Sequence, residues 1–133
     1  MDLIPGIQAS ASALEAHQTH LEAIAQNLAN AQTTKAADGN PYQRQVISFA
    51  SFLDGQGNQG VRVSGIDTDP SSGSLVHNPG HPHAGPDGML RMPNVSASVE
   101  MVDMISASRA YEANLTAAKT ARQMAERALE IGR

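Results

Sequence analysis

Glycine and proline are confined almost entirely to the middle of this 133-residue chain. Residues 35–94 hold nine of the 11 Gly and six of the seven Pro, so the flanking arms, residues 1–34 and 95–133, are nearly free of both. Because Gly and Pro disfavour a helix interior, this distribution predicts two helical arms on either side of a middle segment rich in turns.

The first arm carries a helical repeat of apolar side chains. Ile7, Leu14, Leu21 and Leu28 recur every seven residues, and Ala25 lies beside this row. The spacing predicts a helix with a one-sided apolar seam that ends between residues 30 and 34. Periodicity alone fits a helix that packs on its own domain as well as one that packs on neighbouring subunits.

The last arm predicts a longer helix, because residues 96–131 contain neither Gly nor Pro. Its apolar side chains form two neighbouring stripes in which small residues predominate, and such a wide face can approach more than one helix. A helix of about 35 residues is about 50 Å long, whereas a compact chain of this size has a radius of gyration of about 14 Å. This length indicates assembly with other subunits.

The middle segment predicts short strands separated by flexible loops. The β-favouring stretches are residues 46–49, 61–64, 74–76 and 89–92. The expected fold class is therefore α+β, with the two long terminal helices forming a coiled-coil-like pair beside a small β-rich domain. We expect the domains to be residues 1–34, 35–94 and 95–133.

The hydrophobic residues are mostly small. Of 54 apolar residues 21 are Ala, and Leu, Ile, Val and Phe together number only 25. Seventeen of the Ala lie in the two arms. Since buried apolar area is the main term that opposes chain entropy, we expect a marginal monomer whose helices complete their packing against other subunits.

Composition disfavours several classes of function. Without Cys there is no disulfide, no thiol catalysis and no Cys-ligated zinc. A net charge of -4 and a pI near 5.6 give no basic surface for nucleic acid. The sequence has no apolar run of about 18 residues, so direct membrane insertion is not expected. Its first residues lack the basic and apolar regions of a secretory signal, so we expect no cleaved signal peptide.

A histidine-rich loop is the richest chemical signal. His77, His81 and His83, followed by Asp87, could in principle bind Zn²⁺, which makes a small metal-binding protein the alternative from another functional class. The intervening Pro and Gly residues favour an exposed turn without the rigid second shell that a zinc site needs. We find no phosphate loop and no catalytic pattern. We therefore expect no enzyme activity, no cofactor and no metal site.

Five segments resemble one family of flagellar proteins. Residues 25–33 contain the Asn-Leu-Ala-Asn motif shared by flagellar rod and hook proteins, and residues 38–44 resemble the segment that follows it in proximal-rod proteins. Residues 78–82 and 92–95 are similar to two further family segments, and residues 100–114 to its C-terminal signature. Taken together and in this order, they resemble the FlgC family of flagellar basal-body rod proteins across nearly the whole chain.

The resemblance implies a structural subunit of the proximal rod, a tube built from the paired terminal helices of many subunits, which serves cell motility. Implied partners are other copies of the chain, other rod proteins, a FliE-type adaptor, the membrane ring and the flagellar type III export apparatus. The implied location is the periplasmic rod of the basal body. Another axial rod or hook subunit is the nearest alternative, against which residues 100–114 argue; a generic helical adaptor would not explain the ordered motifs of the middle.

We predict that the assembly interface draws on both arms, with Leu14, Leu21 and Leu28 docking on the Ala-rich face of the last arm. Asn27 and Asn30 fit two interpretations: their amides can bridge the helix end to adjacent backbone, or cap the helix. The predicted interface residues are Ile7, Leu14, Leu21, Ala25, Asn27, Leu28, Asn30, Met101, Met104, Tyr111, Asn114, Leu115, Ala117, Ala121, Met124 and Ala128.

Overall fold

The computed structural model describes residues 4–55 and 57–132, and it has the predicted α+β fold. One helix lies near each end of the chain sequence, and the four strands fall between the two helices in sequence. In chain order the elements are α1 (Ile4–Ala29), β1 (Gln45–Leu53), β2 (Gln59–Thr68), β3 (Leu75–His77), β4 (Met89–Arg91) and α2 (Ala97–Ile131).

Both helices lie where the distribution of Gly and Pro places them. α1 ends at Ala29, and the next turn is closed by the Asn30 N–H, which donates to the Gln26 carbonyl (3.0 Å). α2 begins after Ser96, whose carbonyl accepts from the Glu100 N–H (3.0 Å), and its 35 residues span about 52 Å. Neither helix has a stretch apolar and long enough to cross a membrane within the described residues.

The first sheet is a hairpin of β1 and β2, and its strands are longer than predicted. β1 has nine residues and β2 has ten, because pairing extends past the β-favouring stretches into Ser, Gln and Asp residues. Residues 54–58 connect them, and Asp54 Oδ1 accepts from the Asn58 N–H (2.8 Å). Ser12 of α1 holds the hairpin, since its Oγ accepts from the Val61 N–H (3.2 Å).

The second sheet is small and antiparallel. Leu75 faces Arg91, Val76 faces Leu90 and His77 faces Met89, as residues 74–76 and 89–92 predicted to within a residue or two. The connection between β3 and β4 contains the Pro-rich histidine loop.

The described residues form two compact units. Unit 1 contains the described parts of residues 1–21, 47–65 and 105–133, and unit 2 contains residues 22–46 and 66–104. Each unit therefore combines part of α1, part of the middle segment and part of α2. The division into domains 1–34, 35–94 and 95–133 stays a prediction.

The buried core is as lean as the composition predicted. Ala16 and Ala107 are the buried apolar side chains of unit 1, and Ala23, Ile24 and Leu90 those of unit 2, among the residues that the structure describes. The largest fully buried side chains are both polar, Asn27 and Glu100, and both belong to unit 2. Hydrogen-bonded polar side chains, rather than large apolar ones, are therefore the largest groups fully buried in this unit.

Gly73 allows the closest approach of two backbones in unit 2. A Cβ atom at this position would lie 1.8 Å from the Met92 carbonyl oxygen. We expect Gly73→Ala to lower the free energy of unfolding of the full chain by about 2 kcal/mol, because backbone rather than a flexible side chain would have to move. Urea unfolding followed by circular dichroism measures this.

Gly80→Ala is the matched control. At Gly80 the nearest atom to an added Cβ is 3.9 Å away, so we expect a change within about 0.5 kcal/mol. Equal effects of the two substitutions would contradict the close approach at Gly73.

Candidate functional site

Asn27, in the last turn of α1, lies at the centre of a buried network in unit 2 and is 1% exposed. Its Nδ2 donates to the Gln45 carbonyl (2.9 Å) and to Glu100 Oε2 (3.2 Å). Its Oδ1 accepts from the Gln45 N–H (2.8 Å) and the Tyr42 hydroxyl (2.9 Å). Both N–H donors and both acceptor sites of the amide are therefore used. The Asn27 amide meets the backbone of Gln45, the first residue of β1, as a neighbouring strand would.

Glu100, in the first turn of α2, is fully buried at 0% exposed. Its Oε1 accepts from Arg44 Nε and its Oε2 from Asn27. Arg44 also donates through Nη2 to Asp103 Oδ2 (3.3 Å). A buried carboxylate costs several kcal/mol unless it is paired, and here a guanidinium and an amide both bind it. Its place near the positive end of the α2 dipole favours the negative charge further.

Tyr42 joins this network through its phenol. Burial raises the pKa of Tyr42 above its ordinary value, and the negative charge of Glu100 raises it further. The hydroxyl therefore stays protonated at neutral pH, and it can donate the hydrogen bond to Asn27 Oδ1 that the geometry requires.

Asn94 fixes the main chain at Arg44. Its Oδ1 accepts from the Arg44 N–H (2.7 Å), while its Nδ2 donates to the carbonyls of Asp69 (3.0 Å) and Ser71 (2.9 Å). The Asp69 N–H in turn donates to the Arg44 carbonyl (2.8 Å). Hydrogen bonds from the side chain and backbone of Ser71 lower the pKa of Asp69, helped by the charge of Arg44.

These six residues are named here the Asn27 network: Asn27, Tyr42, Arg44, Gln45, Asn94 and Glu100. They join the end of α1, the start of β1, the segment before α2 and the first turn of α2. No site for a small molecule follows from this arrangement, since the Asn27 amide and the Glu100 carboxylate are both satisfied by neighbouring protein groups. Its effect is to join the last turn of α1 to the first turn of α2 within unit 2.

The start of α2 presents an outward apolar surface. Val99, Met101, Val102 and Ile105, named here the α2 patch, are each more than half exposed, whereas Glu100 and Ala107 on the opposite side of the helix are buried. Contiguous exposed apolar side chains of this kind mark interaction sites on soluble proteins.

The residues predicted for the assembly interface differ in exposure. Asn27 is buried, and Ala25, Met101, Ala117, Met124 and Ala128 are exposed. The interface itself stays a prediction. The remaining ten side chains are half-buried: Ile7, Leu14, Leu21, Leu28, Asn30, Met104, Tyr111, Asn114, Leu115 and Ala121.

The two interpretations of the asparagines were a bridge to adjacent backbone and a cap of the helix end. The bridge describes Asn27 and the cap describes Asn30. Asn27 lies inside α1 and bridges to the backbone of Gln45. Asn30 lies just past the helix end, where its Nδ2 donates to the Gln26 carbonyl (2.9 Å) and its Oδ1 accepts from the Thr33 hydroxyl (3.1 Å). Asn30 therefore satisfies the end of the helix, as the capping interpretation predicted.

Sequence reasoning named Asn27 and missed the other five residues of the Asn27 network: Tyr42, Arg44, Gln45, Asn94 and Glu100. Glu100 gave a usable signal, because it is a single carboxylate within the otherwise apolar run Val99–Met101–Val102. A charge in such a run is either an exposed break or a buried, paired group. Nothing in the spacing indicated that Arg44, far away in sequence, supplies the partner.

The histidine loop does not support the metal-binding alternative. The rings of His81 and His83 lie edge to face at 5.2 Å, and His83 Nδ1 is hydrogen-bonded to the Thr34 hydroxyl (2.8 Å). Across residues 4–55 and 57–132, His, Asp and Glu side chains form no group of three that could hold a metal ion.

Asn27→Ala should destabilise the full chain by about 3 kcal/mol, because it leaves the half-buried Gln45 peptide and part of the buried Glu100 carboxylate without partners. Asn30→Ala, the same change one turn away, should cost less than about 1 kcal/mol, since its two side-chain hydrogen bonds lie near solvent, where water can replace them. Urea unfolding of the two variants measures the difference. Equal losses would mean that the Asn27 network does not stabilise unit 2.

Comparison with known proteins relates the chain to flagellar rod proteins. The family model for the C-terminal region of flagellar basal-body rod proteins FlgE, FlgF and FlgG matches residues 87–131, which contain α2. The flagellar basal-body rod protein FlgC of Bacillus subtilis is 39% identical, with the whole of both chains covered. The FlgC proteins of Yersinia enterocolitica and Salmonella typhimurium are 40% and 37% identical, with 99% of each chain covered.

The matches to the three FlgC proteins extend over the helices, both sheets and the Asn27 network alike. A similarity of this extent, together with two terminal helices around a small β region, confirms the resemblance of the five sequence segments. The chain belongs to the FlgC family of flagellar basal-body rod proteins.

Proposed function

We propose that this chain is a structural subunit of the flagellar basal-body rod and assembles through its terminal helices into the axial tube that transmits rotation. The observation that carries this function is identity of 37–40% to named rod proteins over essentially the full length of both chains. Partners of the same class, other copies of the chain and other rod proteins, follow from that role.

The structure supports assembly by helices. α2 is long, and beyond Ala107 none of its described residues is fully buried within the chain. Large side chains such as Met124 and Leu129 remain exposed on it. Because exposed apolar area is favourable to bury, we expect these faces to pack against neighbouring subunits. The predicted interface residues on both helices are our candidates for these contacts.

We propose the same division of labour for the three sequence segments. Residues 1–34 and 95–133 would form the rod core, and the β-rich residues 35–94 would set the lateral spacing of the subunits. The hairpin of β1 and β2 supports this, since it carries exposed side chains such as Leu53 and Ile66.

The proposed location is the periplasmic part of the rod, reached through the flagellar type III export apparatus without a cleaved signal peptide. A FliE-type adaptor and the membrane ring are the proposed neighbours at its base. The lean core supports passage as an unfolded chain, because a protein that buries so few large apolar side chains costs little to unfold.

Two alternatives are less well supported. Another axial subunit would share the C-terminal region that the family model matches, but the full-length relatives are FlgC proteins. An enzyme would need a cluster of reactive groups in a cleft. The cavity between α1 and the hairpin, about 370 Å³, is open to solvent. Its lining includes Ser12, Glu15, Thr19 and Arg62, but the Ser12 hydroxyl is engaged by the Val61 N–H rather than by a base.

Leu21→Asp tests the helix seam. We expect this variant to be exported but absent from purified basal bodies, because a carboxylate in the half-buried seam opposes packing of the helices. Expression in a flagellated host that lacks its own copy of the protein, followed by immunoblots of the basal-body and culture fractions, measures both steps.

Gln32→Asp is the control, since it adds the same charge to an exposed side chain just beyond α1. It should enter basal bodies at the wild-type level. Motile cells whose basal bodies contain the Leu21→Asp variant would contradict the predicted packing of this seam.

A further inference from the structure

We propose that the α2 patch of one copy docks on the outward face of α1 in a second copy. The proposal rests on the proposed function, since it names the surfaces by which rod subunits meet. It concerns the four residues of the α2 patch, of which Val102 is 65% and Ile105 56% exposed.

The exposed face of α1 is suited to contact the α2 patch of another copy. One row of side chains, spaced alternately four and three residues apart, is exposed along its whole length and is named here the α1 stripe. Its ends are Ala, so bulky side chains of another helix can approach closely, and its middle is acidic and polar. The stripe consists of Ala11, Glu15, Gln18, Glu22, Ala25 and Ala29.

The spacing of the two surfaces matches when the helices run antiparallel. From Val102, the exposed residues Ile105 and Arg109 follow after three and seven positions. From Ala29, the exposed residues Ala25 and Glu22 precede by four and seven positions. At a rise of about 1.5 Å per residue, Val102 then lies opposite Ala29, Ile105 opposite Ala25, and Arg109 opposite Glu22.

Charge favours this partner and this direction. α1 carries Glu15 and Glu22 but no Lys or Arg. The exposed charged residues of α2 that first follow the α2 patch are Arg109, then Glu112, then Lys119, so the charge next to the patch is positive. The antiparallel register pairs Arg109 with Glu22. A parallel register starting at Ala11 would place Glu15 against Ile105 and bury a carboxylate on an apolar side chain, which is unfavourable.

The contact is heterologous, because it joins two different surfaces of the same chain. Such contacts do not close on themselves in a pair, and they generate rings or open helical assemblies. One repeated contact of this kind would therefore extend a tube, as the proposed function requires.

Cysteine cross-linking tests the contact, because the chain contains no Cys of its own. The full chain carrying both Ala25→Cys and Ile105→Cys is expressed in a flagellated host that lacks its own copy, and isolated basal bodies are oxidised. We expect a ladder of dimers, trimers and longer chains on a non-reducing gel, linked between positions 25 and 105 by mass spectrometry.

The control pairs Ala25→Cys with Gln123→Cys, an exposed position about 25 Å further along the proposed contact. It and the two single variants should give no ladder. An intrachain disulfide, dimers linked only between like positions, a link to a different protein, or no ladder in an incorporated double variant would overturn the proposal. Wild-type chain missing from the basal bodies would instead overturn the proposed function itself.

Charge reversal decides the case if the double cysteine variant does not assemble. Arg109→Glu should lower the amount of chain in basal bodies by about five-fold, and adding Glu22→Arg should restore most of it. Arg127→Glu makes the same charge change near the far end of α2. Adding Glu22→Arg should not restore any loss that Arg127→Glu causes. Failure of Glu22→Arg to rescue Arg109→Glu would contradict the pairing.

Discussion

The buried contact of Asn27 with Glu100 is the interaction on which the rest of unit 2 depends. A chain whose buried apolar side chains are mostly Ala gains little from area alone, so position must come from directional bonds. Asn27 uses its whole amide, and the pairing of Glu100 with Arg44 offsets the cost of burying a carboxylate. The result is a fixed joint between the end of α1 and the start of α2.

This joint links fold to function. Glu100 turns inward, and Val99 and Val102, one and two positions away, point in other directions round the helix and are exposed, since residues at these spacings do not share a helix face. The same buried side chain thus holds the helix pair and exposes the surface that we assign to the next subunit. An assembling protein gains from this arrangement, because its helices meet neighbours in one geometry rather than in several.

Much of the fold could be predicted from the sequence, because it depends on local chemistry. The near absence of Gly and Pro from the arms located α1 and α2. β-favouring residues located the four described strands, although β1 and β2 proved longer. The Asn27 network could be predicted only in part. Asn27 was recognised as able to bridge to backbone, but Arg44 and Asn94 reach it through contacts about 50 residues away or more, which no periodicity encodes.

Hydrogen exchange of the Gln45 amide in the full chain tests the central claim most directly. Its N–H donates to a side chain, Asn27 Oδ1, rather than to another strand, so it is protected only while the Asn27 network is formed. The account predicts that this amide exchanges as slowly as the interior amides of α1 around Ala23 and Ile24. Exchange at the rate of the exposed loop around Gly80 would show that the network does not hold unit 2 together.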